Sequence, residues 1–471
     1  MWTAKTGCSK SWVSIKQHNI KEVNPHRYLV KTGADFLYGL IWGRSDIIKK
    51  RNFIRRESEM EKLLNIKYGC IHGTYWMYYG IAGSFASAFL LARGYSNAEI
   101  GIILAVGNIL AVFLQPLVAD LADRSKRLSL VGVTRLSTVL LMILTLMLFV
   151  LRQKSAALWV VYMLIMAWMT TLQPLFNSLA FKLEETGVHI NFGACRSVGS
   201  LAYAVLCAFM GTLVEAKGVE VLPVSGEIVL LMLLASLWVT KTQFDKMTGE
   251  SFRSTPAQMV GECGQIPAVD AEIAEEINLA LFVKRNKLFV ILNLAVIGVF
   301  FSNAVLNNFM LQVVEGVGGT SEDMGRIFSV MAFLEIPALF FFDKIKKRFS
   351  CQLILKFAAI CFTLKILLIY LAGSVTMIYV AHLLQTFSFG LFLPAMVSFI
   401  GEVMAKGEAV KGQALYTVMT TVASMLASVL GGIMLDVSGP SFMLLISTIA
   451  TGLGTLVLLL IVDRIKHKTT S

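Results

Sequence analysis

A carboxylic acid inside the hydrocarbon of a bilayer is tolerated with its proton and costly without it. A proton's arrival or departure there can therefore be tied to the face of the membrane to which the site opens. Glu335 is placed for that chemistry. It lies in Leu334-Glu335-Ile336-Pro337, about thirteen residues, or roughly 20 Å of helix rise, into an apolar run. The proline that follows frees a backbone carbonyl and permits a kink. Lys365, midway along the next apolar run, is close enough in the expected topology to pair with this acid; the duller use of the two is a structural ion pair. Arg196 stands in Phe192-Gly193-Ala194-Cys195-Arg196-Ser197-Val198-Gly199, where small residues let helices approach and a guanidinium fork can grip a carboxylate or a pair of hydroxyls. Its duller use is to cap backbone carbonyls. Asn177, Tyr203, Asn303, Asn307, Gln385 and Ser388 add uncharged polar edges inside apolar runs. These suit a solute rich in hydroxyls or amides, and helix–helix hydrogen bonds equally well. His72 and His382 are lone histidines, a pattern met more often in packed, satisfied side chains than in ligands.

These residues exclude as well as suggest. No nucleophile, base and oxyanion set can be assembled, so a catalytic centre is not expected. No Gly-Lys dipeptide exists, which removes a Walker A loop and leaves an ion gradient as the energy source. A proton is the expected coupling ion, with Na⁺ left open, and no cofactor or metal site is expected. Seven scattered cysteines form neither a disulfide framework nor a CxxC metal site.

The elements that must hold such side chains are dictated by composition. The chain is 56% apolar and 15% charged, where an average soluble domain has roughly 45–50% and about 25%. Runs such as Leu128 to Leu151 and Phe442 to Val462 reach the length that crosses a bilayer as helix, and none alternates in polarity as a barrel strand would. The expected fold is an all-α membrane protein of twelve transmembrane helices in two pseudo-symmetric six-helix bundles. The spans are 66–92, 97–122, 128–151, 155–181, 190–214, 219–240, 287–313, 321–343, 350–372, 375–403, 409–436 and 439–463. The organisation reads as a basic tail over 1–59, disordered or upstream of a start at Met60, a first bundle over 60–240, a linker over 241–286, a second bundle over 287–465, and a tail over 466–471. A repeat supports the division: an offset of 220 carries Asp123 to Arg127 onto Asp343 to Lys347, Pro174 onto Pro394 and Gly211 onto Gly431, while Gly101 meets Gly325 at 224.

The net charge of +12 follows topology rather than nucleic acid. Alternate connections carry Arg124, Lys126 and Arg127, then Lys344, Lys346, Lys347 and Arg348, whereas the other side holds chiefly Arg93, Arg152, Lys154 and Lys217. By the positive-inside rule the rich side, with both termini, is cytoplasmic in the inner membrane. Asp123, Arg124, Arg127, Asp343 and Lys346 anchor those turns and are candidate gate latches.

The residues then resemble a known family. From about 66 to 465 the chain looks like the major facilitator superfamily, and within it the group around lactose permease, nucleoside permeases and the phenylpropionate permease. Gln115-Pro116-Leu117 through Asp123-Arg124 to Arg127 is similar to the signature between helices two and three, with Ala119 where Gly is usual. Asn191 to Arg196 resembles the fifth-helix segment whose Arg contacts sugar, Tyr203 stands where that group stacks a Trp on the sugar, and Leu334 to Pro337 looks like the eighth-helix acid joining solute and proton sites. Lys365 stands where the ninth helix has an Arg. The departures are Asn177 for the fourth-helix acid, Gln385 and Ser388 for the tenth-helix His and Glu, and Asn307 and Thr420 for an Asp–Lys pair.

The resemblance and the residues together imply a proton-coupled symporter of a sugar, oligosaccharide or nucleoside. Arg196, Asn177 and Tyr203 would hold the solute, with Asn307, His382, Gln385 and Ser388 opposite, and Glu335 would take the proton beside Lys365. An anionic solute such as an aromatic carboxylate, met by Arg196 and Lys365, is the alternative, and a solute sensor that does not transport is a third. The expected partners are a small solute and the lipid bilayer, without nucleic acid, and the chain is expected to act as a monomer.

Overall fold

In lipid a spanning chain must satisfy its backbone polar groups internally, and nearly every described residue does so as helix. The structure, a computed structural model, describes residues 44–124, 129–184, 190–248, 279–405 and 408–465. Most of the expected 1–59 tail and 241–286 linker, Arg127, and the 466–471 tail lie outside the described residues.

The helices are α1 (Arg44–Tyr79), α2 (Ala86–Ala92), α3 (Asn97–Arg124), α4 (Leu130–Val150), α5 (Ala156–Glu184), α6 (Phe192–Lys217), α7 (Val221–Thr248), α8 (Leu279–Arg285), α9 (Lys287–Glu315), α10 (Ser321–Lys346), α11 (Cys351–Tyr370), α12 (Val375–His382), α13 (Phe389–Val403) and α14 (Ala409–Ile461). Residues 1–60 form a unit separate from the compact body Glu61–Ser471. Helix α1 starts at Arg44, within the segment expected to be unstructured; residues 44–60 contain neither Gly nor Pro and are rich in straight-chain residues, which favour helix.

Among the described residues ten helical segments are long and apolar enough to cross a membrane, so the protein is a multi-pass membrane protein. The expected twelve differ from these ten at two places. Helix α14 is 53 residues long, roughly 80 Å, well beyond a bilayer core of about 30 Å. It is broken at Gly439, whose φ of 76° only glycine adopts readily, just before Pro440. The break is a reversal: along α9, Asn308 meets Ser428, Gly316 meets Pro440, and Gly298 meets Gly454, so the two legs run antiparallel. The first expected span is interrupted instead by a π-helical turn, Gly80–Ser84, between α1 and α2. The segment expected at 375–403 is likewise split, α12 ending in a 3₁₀ turn at Leu383–Gln385 before α13.

Large apolar side chains such as Phe209, Trp238 and Phe340 are well exposed (72%, 69% and 77%), which on membrane helices marks the faces that meet acyl chains. Small residues set the close helix contacts. Gly69 lies against Val198 and Cys195, and Gly73 against Ala202 and Val198, as the small residues around Arg196 led us to expect.

Candidate functional site

In the second half of the chain three side chains from three elements form one chain of hydrogen bonds. Lys365 on α11 is fully buried, and its Nζ donates to Gln385 Oε1 at 2.7 Å. The Gln385 amide nitrogen donates in turn to Glu335 Oε1 on α10, also at 2.7 Å. Glu335 itself is half-buried. The local sequence builds this contact. Pro337 removes one backbone donor from α10, and the Thr386 hydroxyl donates to the Leu334 carbonyl at 2.7 Å, tying α10 to the 3₁₀ turn that carries Gln385. Gly390 makes the approach possible, since a Cβ there would lie 2.9 Å from Ala338 Cβ and 3.6 Å from Glu335 Cα.

His382, one turn before Gln385, is fully buried; Nδ1 lies 2.8 Å from the Ile378 carbonyl and Nε2 has no partner. Nδ1 therefore carries the hydrogen and Nε2 a bare lone pair. The hydroxyl of Ser388 is spent on the Leu384 and Gln385 carbonyls, closing the end of the turn rather than pointing to a solute. Asn307 is exposed and makes no hydrogen bond among the described residues, while Asn303, one turn earlier, is buried with Oδ1 unpartnered.

In the first half the centre is Arg196 on α6. Its guanidinium carbon sits 4.1 Å from the centroid of the Trp76 ring, and Nη1 donates to Ser200 Oγ at 3.2 Å. Gly199 clears the space for that ring, since a Cβ there would come within 2.5 Å of Trp76 Cδ1. Below the ring, the Tyr68 hydroxyl donates to the Phe176 carbonyl at 2.9 Å and His72 Nε2 lies 2.9 Å from the same hydroxyl, so His72 Nε2 donates and Nδ1 is bare. Asn177, next to Phe176, is half-buried and makes no hydrogen bond among the described residues.

The aromatic ring beside Arg196 is therefore Trp76 and not Tyr203, whose hydroxyl is 2.7 Å from Ser84 Oγ in the π turn and whose ring packs over Gly80. Trp76 carried a signal in the sequence, a glycine three residues after Arg196, but the run Tyr75-Trp76-Met77-Tyr78-Tyr79 reads as core.

The charges that act on the Glu335 carboxyl come from both halves, Lys365 from its own and Arg196 from the other. A further intramembrane acid escaped the sequence reading: Glu227 on α7 acts electrostatically on Tyr78, and its Oε1 is buried without a partner.

Of the residues expected at the gates, Lys346 pairs with Glu402 at 3.1 Å, a staple inside the second half, and Asp343 is exposed. The side chains of Asp123 and Arg124, like Arg127, fall outside the described residues. Among the described residues, several hydrogen bonds join the halves on the side away from the basic connections. Asp436 accepts from the Asn97 and Ala98 backbone at 3.0 and 2.7 Å, and Gln312 donates to Asn97 at 2.8 Å. Glu215 accepts from the Ser321 backbone at 3.1 Å.

With this geometry in view, residues 68–446 match the MFS_1 like family. The chain belongs to it. Solved structures agree in fold. The nucleoside transporter NupG is 15% identical, with a TM-score of 0.64 over 86% of this chain and 100% of that one. An auto-inhibited peptide transporter of the POT family is 12% identical, with a TM-score of 0.64 over 88% of this chain and 98% of that one. A bacterial homolog of the lysosomal transporter Spinster, inward-facing and unoccupied, is 13% identical with a TM-score of 0.58 over 87% and 99%. No curated protein matches the chain in sequence. Membership makes this chain a membrane transporter of the major facilitator type.

Proposed function

We propose that the protein is a proton-coupled symporter that carries a small polar organic solute, of the sugar, oligosaccharide or nucleoside class, by alternating access between its two halves. The basic side is cytoplasmic in this reading. The observation that supports it is the connected set Glu335–Gln385–Lys365, reached electrostatically from the other half by Arg196. A carboxyl so placed changes charge when it takes a proton, and the change is felt by cations on both halves at once. Arg196, seated on Trp76, and Asn177 meet the solute from one half. Gln385 spends its amide between Glu335 and Lys365, so its part is to carry the state of the acid rather than to hold the solute.

One observation favours a second reading, an organic anion. Two cations, Arg196 and Lys365, share one carboxyl, which leaves a positive charge for an anionic solute to balance, with the Trp76 ring beside it for an aromatic portion. Uptake into vesicles under an imposed pH gradient, with labelled nucleoside, sugar and aromatic carboxylate in parallel, tests both. Accumulation driven by a Na⁺ gradient at equal pH, with none driven by protons, would overturn the proton assignment.

A further inference from the structure

Helices α3 and α10 begin in the same way. Ser96-Asn97-Ala98-Glu99 and Thr320-Ser321-Glu322-Asp323 are both capping boxes. In the first, Glu99 N donates to Ser96 Oγ at 3.3 Å and Ser96 N to Glu99 Oε2 at 2.8 Å. In the second, Glu322 N donates to Thr320 Oγ1 at 3.2 Å and Thr320 N to Asp323 Oδ2 at 3.1 Å. A capping box serves the cap and its own turn but leaves the first helical N–H, on Asn97 and on Ser321, with no partner in its own helix.

Two acids from the opposite halves supply it. Asp436, near the end of the first leg of α14, accepts from Asn97 N at 3.0 Å, Asn97 Nδ2 at 2.8 Å and Ala98 N at 2.7 Å. Glu215, in the last turn of α6, accepts from Ser321 N at 3.1 Å, and the neighbouring Thr212 donates to Glu322 Oε1 at 3.0 Å. A carboxylate near the C-terminal end of a helix opposes that helix's own dipole, so neither acid is placed for the helix that carries it.

The two contacts are copies of one another. An offset of 224 residues carries Asn97 and Gly101 onto Ser321 and Gly325, and an offset of 221 carries Cys207, Gly211 and Glu215 onto Ser428, Gly432 and Asp436. Gly101 and Gly432 leave no room for a Cβ against Ser428 and Asn97; Gly325 and Gly211 leave none against Cys207 and Ser321. Gly431, the partner that a 220 offset gives Gly211, faces Phe309 of its own half instead.

We propose that Glu215 and Asp436 are paired latches that hold shut the side of the transporter away from the basic connections. Each captures the free first N–H of a helix in the other half, where glycines bring the backbones into contact. The side opens only when both let go. The latches are unequal, because Asp436 engages three donors and Glu215 one, so the α6–α10 seam parts before the α14–α3 seam. The proposal does not depend on which solute or ion is carried.

Spin labels on Lys217→Cys and Gly373→Cys, both exposed, in the full-length chain with its native cysteines replaced, report the separation of the halves on this side. Asp436→Ala is expected to raise the ratio of open to shut about tenfold and Glu215→Ala about threefold, as loss of charge-assisted hydrogen bonds at a solvated site implies. The double variant should combine the two effects. Raising salt to about 1 M in otherwise unaltered labelled protein should shift the same ratio toward open, since exposed charge–dipole contacts are screened. A double variant whose distance distribution matches the parent, or a salt titration that leaves it fixed, overturns the latches; a larger effect from Glu215→Ala overturns their order.

Discussion

Replacing Gln385 by Leu keeps the bulk of the side chain and removes both ends of its amide. That amide accepts from the fully buried Lys365 ammonium and donates to Glu335, each at 2.7 Å. A hydrogen bond with one charged partner contributes about 1.5–3 kcal/mol, so the two together are worth about 3–6 kcal/mol. Part of this returns if Lys365 and Glu335 move into direct contact. The coupling between positions is the cleaner quantity, because a cycle of Gln385→Leu, Lys365→Met and the double variant cancels everything but what the pair shares. We expect a coupling of about 1.5–3 kcal/mol, the value of one charge-assisted bond, from equilibrium unfolding in mixed micelles. A coupling below about 0.5 kcal/mol, the additivity of independent sites, would refute the claim that this amide joins the two charges.

Glu335→Gln should abolish uphill accumulation in vesicles while leaving exchange of solute across the membrane intact; full gradient-driven accumulation by this variant removes the acid from the coupling. Trp76→Ala should weaken solute binding about tenfold in an equilibrium binding assay, the loss of an aromatic contact worth about 1–2 kcal/mol, while Trp76→Phe retains most of it. Arg196→Lys keeps the charge but not the planar fork, and should weaken binding about as much as Trp76→Ala; equal affinity to the parent would show that only charge matters there. Gly390→Val sets a branched side chain against Ala338 and the Glu335 backbone and should destabilise by about 1–3 kcal/mol in the same unfolding assay.

Much of the fold was legible because lipid imposes a simple rule: apolar runs of the right length, separated by charged turns, must be helices. The Gly439 reversal was legible too, since Gly-Pro between two apolar runs cannot continue a helix. The interruption at Leu383–Gln385 was not, because Leu383-Leu384-Gln385-Thr386-Phe387-Ser388 contains neither Gly nor Pro. Its cause is tertiary, the demand of α10 and α11 for the Gln385 amide and the Thr386 hydroxyl. Glu335 and Lys365 stood out as charges in apolar runs, and they do converge; what lies between them depends on three helices meeting and leaves no local trace. The bond between Tyr203 and Ser84 was not legible, because spacing along one helix says nothing of the Ser84 hydroxyl opposite it. Glu215 and Asp436 stand at the ends of apolar runs, and nothing local marks the helix starts that face them.

The π turn at Gly80–Ser84 has a consequence for the membrane crossing it interrupts. One surplus residue in an α-helix offsets everything on one side of it by about 100° relative to the other. His72 and Trp76 on one side, and Phe89 and Arg93 on the other, are thus clocked to different directions. Removing a single residue from 80–84 would wind the segment into unbroken helix and swing one of the two sets away from its neighbours. The crossing works as a phase shifter, letting one rod present Trp76 to Arg196 at one level and Phe89 to Tyr162 at another.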